Sequence, residues 1–123
     1  MKSSLLGPLE QQVMDVLWAS EKPLKPQEVL GKLKGKYAYT TIMTILKRMA
    51  DKKILDRKMD GKAFEYCPCS NKESFLKKNL SSIYGGLVGS YGELAIAQFV
   101  DEVSSNKEDL ELLKQYIESN TNS

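Results

Sequence analysis

The segment TTIMTILKRM, residues 40 to 49, carries its polar and charged groups on one side of a predicted helix. Its apolar side chains repeat at the i, i+3, i+4, i+7 spacing of a core-facing stripe: Ile42, Ile45, Leu46 and Met49. The other side presents hydroxyls, methyl groups and cations: Thr40, Met43, Thr44 and Lys47, with Arg48 at the flank. Thr41 belongs with Thr40, Met43 and Thr44 to the N-terminal half of the helix, the half that would reach base edges. Threonine can hydrogen-bond to bases and phosphates and can contact a thymine methyl, whereas Lys and Arg bind phosphates. The pattern is compatible with a DNA-reading helix and equally with an ordinary solvated face.

Catalytic chemistry finds little support in the sequence. The chain has no histidine, and it contains no carboxylate pair, glycine-rich phosphate loop or nucleophile elbow, so we predict that it is not an enzyme and uses no cofactor. Cys67 and Cys69, separated by Pro68, form the one metal-like cluster. Two thiolates could supply half of a zinc or copper site, with a dimer supplying the rest. We predict instead two incidental cysteines and no metal site.

Length, charge and cysteine usage narrow the class of protein. A chain of 123 residues can bury a core without disulfides, and Cys67 and Cys69 are too close in sequence to bridge comfortably, which favours a reducing compartment. Residues 1 to 69 contain 13 basic and 8 acidic residues, a net charge of +5, whereas residues 70 to 123 contain 5 and 8, a net charge of −3. The first half is therefore the half expected to face an anion. No apolar segment has the length of a signal peptide or membrane span, which predicts a cytoplasmic protein without membrane insertion.

The periodicity of the first half predicts three helices followed by a β-hairpin. The helices cover residues 9 to 20, a short segment that opens at Pro26 and stops at Gly35, and Thr40 to about Lys52. Strand-like segments then flank Asp60-Gly61, which is typical of a two-residue type I′ turn. This order is that of a winged helix-turn-helix, whose third helix enters the major groove. Three cations surround the predicted wing tip and would contact DNA there: Arg57, Lys58 and Lys62.

These segments resemble the penicillinase-repressor (BlaI/MecI) group of bacterial transcription repressors, which includes the CopY branch. The matching stretches are LEQQVMDVLW, KPLKPQEVLGKL, YAYTTIMTILKRMADKKIL and DGKAFEYCP, which cover most of residues 9 to 68. The resemblance implies a winged-helix dimer on a dyad-symmetric operator in double-stranded DNA, with the recognition helix beginning near Thr40. Two positions depart from the family: Lys53 stands where a Gly usually follows the recognition helix, and Lys25 stands where a Thr usually caps the second helix.

For the antibiotic-resistance members, the resemblance also implies a mode of release from DNA. In those members a membrane-bound sensor protease triggers repressor cleavage in the C-terminal region, typically at an Asn-Phe bond. The nearest match in this chain is Gln98-Phe99. CopY-like members carry a longer cysteine cluster at the C-terminus, which this chain does not have.

The apolar pattern of the C-terminal half predicts helices that have no hydrophobic core of their own. Apolar side chains repeat at helical spacing over residues 71 to 84, Gly85, Gly86, Gly89 and Gly92 are expected to interrupt the helix, and a last helix opens with a Ser105–Glu108 capping box. We therefore predict a winged-helix DNA-binding domain over 1–70 and a helical dimerisation region over 71–123. The predicted dimer contacts are Phe75, Leu80, Leu94, Phe99, Leu110, Leu113 and Ile117. The alternative is that these helices fold back on the same chain.

Two functional classes remain open at this point. The first is a dimeric, sequence-specific DNA-binding repressor. The second is a protein-binding winged-helix module, which Met43 at the centre of the outward face keeps open because methionine suits adaptable apolar contacts. Binding to DNA should weaken steeply with salt, whereas an apolar protein contact should not. Within the first class, a metal-responsive repressor that uses Cys67 and Cys69 is a further alternative.

Overall fold

The computed structural model describes residues 5–121 and is mainly α-helical with one small hairpin, as predicted. Three helices come first, α1 Pro8–Ala19, α2 Pro26–Lys32 and α3 Tyr39–Asp51. The antiparallel strands β1 Leu55–Asp60 and β2 Ala63–Pro68 follow. Three further helices complete the order, α4 Lys72–Tyr91, α5 Glu93–Ser104 and α6 Lys107–Thr121. The first five elements form a winged helix-turn-helix, so the predicted fold class is confirmed.

The hydrophobic core lies among the first three helices and the hairpin. Leu24, between α1 and α2, pairs with Tyr66 of β2 through two backbone hydrogen bonds of 3.0 and 2.7 Å, so the wing is attached to the helices by an additional short bridge. The α3 stripe is buried as its spacing predicted, and Leu46 has no exposed surface. The buried side chains from the other elements are Val13, Met14, Leu17, Leu24, Val29, Leu55 and Tyr66.

Three local features of this first part differ from, or sharpen, the sequence expectations. α2 ends at Lys32, before the predicted stop at Gly35. Asp60 pairs with Ala63 at the end of the strands, so the turn residues are Gly61 and Lys62 rather than Asp60 and Gly61. Gly61 has φ +67° and Lys62 has no positive φ, which is the pattern of a type II′ turn instead of type I′. The predicted turn was therefore wrong in type, and its position was wrong by one residue.

Lys53, immediately after α3, has φ +67° and lies in the left-handed region. This is a conformation that glycine adopts without steric cost and that a side chain disfavours. Its backbone N–H donates to the Ala50 carbonyl at 3.0 Å, and the N–H of Ile54 donates to the Met49 carbonyl at 3.0 Å. These bonds close the C-terminal end of the helix and turn the chain into β1.

Glycines do not interrupt α4, contrary to the expectation from sequence. Gly85, Gly86 and Gly89 lie within one helix, and the break comes at Gly92, whose φ of +58° separates α4 from α5. Glycine lowers helix propensity by about 1 kcal/mol but keeps its backbone hydrogen-bonding groups, so three glycines weaken a 20-residue helix without ending it.

The cap of α6 also differs from the prediction. Ser105 does not form a capping box with Glu108, because its hydroxyl donates to the Glu102 carbonyl at 2.7 Å. The Asn106 side-chain oxygen instead accepts the N–H of Asp109 at 3.1 Å. Asn therefore caps the helix one residue later, as a short amide side chain commonly does.

The chain divides into two compact units, the first ending at Leu80 and the second beginning at Ser81. The division falls within α4, farther along the chain than the boundary after residue 70 that the sequence predicted. In the second unit α5 and α6 contact each other, and none of the residues described in α4, α5 or α6 is fully buried. No helix in residues 5–121 is long and apolar enough to cross a membrane.

Candidate nucleic-acid interface

The outward face of α3 is held by the buried stripe on the helix's other side. Burial of Ile42, Ile45 and Leu46 fixes the rotation of the helix, because turning it would expose these side chains to water. All of the side chains predicted to read DNA from α3 are consequently exposed: Thr40, Thr41, Met43, Thr44, Lys47 and Arg48. The structure thus places this set on the accessible surface of one helix.

Thr44 uses its hydroxyl proton within the helix. Its Oγ1 donates to the Thr40 carbonyl at 2.9 Å, a bond that competes with solvent and with any external acceptor. The hydroxyl oxygen keeps lone pairs and the methyl group remains exposed. Thr44 can therefore accept a hydrogen bond from a base amino group, or contact a thymine methyl, without losing its intrahelical bond.

The beginning of α3 offers backbone donors that the sequence analysis overlooked. Its N-cap residue, Ala38, forms no side-chain cap, and the first turn contains no acidic side chain. The free N–H groups at a helix N-terminus attract an oxyanion such as a phosphate. Tyr39 stands at this end, 38% exposed and one helical turn before Met43. The i, i+4 spacing of Tyr39 and Met43 is the signal that would have placed Tyr39 on the outward face.

Lys47 and Arg48 are exposed and form no ion pair within residues 5–121. A cation without an intramolecular partner can neutralise a phosphate without first breaking a salt bridge. Arg48 also lies in the last turn of α3, where a positive charge complements the helix dipole. Arg48 therefore has a stabilising function within the helix that Lys47, farther from the helix end, has to a smaller extent.

The wing presents its three predicted cations in different ways. Lys62 is exposed within the turn itself, and Lys58 lies directly opposite Glu65 across the hairpin. Arg57 points to the other face, since consecutive strand residues alternate, and its guanidinium lies 4.3 Å from the centre of the Phe64 ring. The three side chains therefore do not form one cluster around the tip.

The acidic residue at the wing tip is already neutralised by a lysine outside the wing. The Lys25 ammonium lies 3.2 Å from Asp60 Oδ2. Lys25 supplies no side-chain cap to α2; its backbone N–H donates to Glu28 Oε1 at 3.0 Å instead, and this bond is the main reason that the pKa of Glu28 is lowered. Because Asp60 is paired, the charge left at the tip is that of Lys62.

The two cysteines lie at the end of β2 and just beyond it, and they differ in exposure. Cys67 is half-buried and faces Asp56 across the hairpin, whereas Cys69 is exposed just beyond β2. Partial burial, and then the neighbouring Asp56, raise the pKa of Cys69, which disfavours the thiolate that a soft metal requires. Within residues 5–121 no three His, Cys, Asp or Glu side chains converge in a way that could hold a metal ion.

The predicted dimer contacts differ in their surroundings. Leu80, Leu94, Phe99 and Ile117 are more than half exposed, and Leu110 and Leu113 are half-buried. Phe75 contacts Trp18 of the same chain, with ring centres 5.4 Å apart.

The candidate cleavage bond, Gln98-Phe99, lies in the interior of α5. A protease that needs an extended substrate would reach this bond only if the helix opened locally.

Most of the chain is similar in sequence to known proteins. The profile of the family described as penicillinase repressor matches residues 6–119. The transcriptional regulator BlaI of Mycobacterium tuberculosis, found in two strains, is 30% identical over 111 residues, which cover 88% of this chain and 80% of that protein.

Two solved structures are also similar. One is the solution structure of monomeric Bacillus licheniformis BlaI in complex with the blaP half-operator, at 27% identity and a TM-score of 0.48, covering 58% of this chain and 89% of that one. The other is the PcaV transcriptional regulator of Streptomyces coelicolor with its natural ligand, at 18% identity and a TM-score of 0.47, covering 85% of this chain and 77% of that one.

Proposed function

Because the chain belongs to the penicillinase repressor family, we propose that two copies of it bind a dyad-symmetric operator in double-stranded DNA and repress transcription there. Family membership confirms the resemblance recognised from sequence, and a transcriptional repressor is not an enzyme. It also favours the DNA-binding class over a protein-binding winged-helix module. The proposed place of action is the cytoplasm, where bacterial DNA lies.

The single observation that carries this proposal is the outward face of α3. A helix with an apolar inner stripe presents hydroxyls and methyl groups from Thr40 to Thr44 and, at Lys47, a cation that forms no ion pair with any residue between 5 and 121. The first part can enter the major groove and contact base edges, since the groove is about 12 Å wide and admits a helix. Lys47 and the uncapped N-terminus of α3 are suited to the flanking phosphates.

In the wing we assign the phosphate contact to Lys62. It is exposed at the turn, and the nearby Asp60 is neutralised by Lys25. Lys58 and Arg57 each have a neighbour in the hairpin, Glu65 and Phe64 respectively. Arg57 would give up part of its contact with the Phe64 ring to approach DNA, and the negative charge of Glu65 opposite Lys58 offsets part of that lysine's attraction to a phosphate, so we expect smaller contributions from both.

We assign dimerisation to the C-terminal helices. Large apolar side chains are exposed along all three of them, including Leu80, Leu94, Phe99 and Ile117. Exposed apolar area of this extent is unusual for a monomer and is removed from water when a second copy packs on it. The half-exposed Leu110 and Leu113 would complete that surface.

We further propose proteolysis as the mode of release, with a membrane-bound sensor protease as its trigger. A cut at Gln98-Phe99 would divide α5 and break the apolar run that we assign to the dimer, while the winged domain stayed folded. The bond lies within a helix, so opening of α5 has to precede the cut. Mass spectrometry of the protein from induced cells should show a fragment ending at Gln98. An intact chain in cells that have switched on the target genes would remove proteolysis from the account.

Selection from a library of random double-stranded DNA with the purified full-length protein tests the central proposal. We expect enrichment of an inverted repeat whose half-sites are about 34–36 Å apart, one DNA turn, or a multiple of that distance. Binding should weaken steeply with added salt because phosphate contacts release counterions. Recovery of no common sequence would contradict the proposal.

A further inference from the structure

Three contacts attach the beginning of α4 to α1. The indole Nε1 of Trp18 donates a hydrogen bond to the Ser70 carbonyl at 2.9 Å. The centres of the Trp18 and Phe75 rings lie 5.4 Å apart, and the ring planes meet at 56°. Aromatic pairs prefer tilted arrangements of this kind. The Lys72 ammonium lies 3.3 Å from Asp15 Oδ1. We call these five residues the α1–α4 clamp.

The clamp is not required to complete the core. The buried cluster is formed by α1, α2, α3 and the hairpin, and Phe75 and Lys72 lie outside it. The N-terminus of α4 is already capped by Asn71, whose Oδ1 accepts the N–H of Ser74 at 2.8 Å. The core and the N-terminal cap of α4 are therefore both complete without the contacts of the clamp.

What the clamp does fix is the direction in which α4 begins. All five of its residues belong to the first compact unit, and α4 runs from that unit into the second. Only Ser70 and Asn71 separate Cys69, which bonds to Ile54 through its backbone N–H at 3.0 Å, from the first residue of α4. Without side-chain contacts, rotation about these few backbone bonds would let the helix begin in many directions.

We propose that the α1–α4 clamp is a positioning element that sets the distance and rotation between the two α3 helices of the DNA-bound dimer. This inference rests on the proposed function. Once one winged domain is bound, the second binds at an effective concentration that depends on how narrowly its position is defined. If the clamp holds α4 in one direction, the effective concentration of the second winged domain is high at one half-site spacing and low at others.

The spacing of half-sites provides a sensitive readout. Moving one half-site by a single base pair changes the separation by about 3.4 Å and rotates the half-site by about 35° around the DNA axis. A dimer with clamped domains should reject such a change, whereas a dimer with loosely joined domains should tolerate it. Stability of the fold alone would not alter this preference.

Two substitutions weaken the clamp, and because Trp18 also packs against the core, the change there keeps an aromatic ring. Trp18→Phe removes the indole N–H donor while keeping an aromatic ring beside Phe75, and Lys72→Ala removes the ion pair. The matched control is Lys77→Ala, which changes the charge of the same helix by the same amount at an exposed position without an ion pair in the part of the chain that the structure describes. Trp18 is the only tryptophan, so the emission of the Lys72→Ala and Lys77→Ala proteins reports on the clamp directly.

The full-length variants are titrated with the selected inverted repeat, with a single half-site, and with repeats whose spacing is changed by one and two base pairs. For the double variant Trp18→Phe/Lys72→Ala we expect about tenfold weaker binding to the intact repeat, unchanged binding to the half-site, and a smaller difference between spacings. Tenfold corresponds to about 1.4 kcal/mol. Lys77→Ala should match the unsubstituted protein in all three respects.

Equal losses on the intact repeat and the half-site would overturn the inference, and so would an unchanged spacing preference. A weaker dimer in sedimentation of the free double variant would overturn it too, since the loss would then come from dimerisation. If the selection recovers no site at all, the proposed function fails and the inference fails with it. If an inverted repeat is selected and bound by two copies while the variants keep the original spacing preference, only the inference fails.

Discussion

Substitution of Thr44 tests whether the outward face of α3 reads bases. Its hydroxyl proton is used within the helix, in the 2.9 Å bond to the Thr40 carbonyl, so its available contacts are one methyl group and a hydroxyl oxygen that accepts. Burial of a methyl is worth about 0.8 kcal/mol, and one accepted hydrogen bond is worth about 0.5–1.5 kcal/mol. Thr44→Ala should therefore weaken binding to the selected operator by about 1–2 kcal/mol, roughly 5- to 30-fold.

Binding to unrelated DNA should hardly change in the same variant, because that binding depends on phosphates. Thr44→Val retains a branched side chain with methyl groups and removes the hydroxyl, so it separates the two contributions. The matched control is Thr121→Ala in α6, where the hydroxyl makes the same type of bond, to the Ile117 carbonyl at 2.9 Å. This control should leave both affinities unchanged.

Lys62→Ala supplies the opposite pattern. Lys62 is expected to contact phosphate only, so its loss should weaken binding to operator and unrelated DNA alike and reduce the salt slope by about one unit. Fluorescence anisotropy titrations with both DNAs at several salt concentrations measure all of these quantities. Equal losses for Thr44→Ala on the two DNAs would remove Thr44 from the reading face.

Three further predictions concern stability and metal. Lys53→Gly relieves the left-handed backbone conformation and should raise the free energy of unfolding by about 1 kcal/mol in urea titrations; a decrease would contradict the strain argument. Leu46→Ala removes a fully buried side chain and should lower the free energy of unfolding by about 2–5 kcal/mol, whereas a loss below 1 kcal/mol would mean that the stripe is not core. Cys67→Ser/Cys69→Ser, and separately a chelator, should leave operator affinity within twofold, and a large change in either titration would revive a metal-responsive repressor.

Periodicity was enough to predict the parts of the fold that one buried face determines. The α3 stripe, including Ile42 and Leu46, is buried as predicted because a 3.6-residue repeat allows only one rotation of the helix. The glycine positions were harder to interpret, because Gly85 and Gly89 have weak propensities that a long helix can absorb, whereas Gly92 is required by a positive φ. Sequence alone does not distinguish these two uses of glycine.

Other parts of the candidate site depend on contacts between residues distant in sequence. The turn is displaced to Gly61-Lys62 because Asp60 extends β1, and Asp60 is paired with Lys25, far earlier in the chain. The bond from Trp18 to the Ser70 carbonyl joins residues 52 positions apart. Neither pairing leaves a local pattern in the sequence, so the accessibility of the α3 face could be predicted but the neutralised wing tip and the clamp could not.

The stoichiometry of the protein–DNA complex tests the central claim most directly. Native mass spectrometry of the full-length chain with the selected duplex, at a salt concentration that suppresses unspecific binding, counts the copies bound. We predict two chains on the duplex with both half-sites, and loss of this complex when the base pairs of either half-site are replaced. A single chain on the intact duplex, held as tightly as before when one half-site is replaced, would contradict a dimeric repressor that reads a dyad.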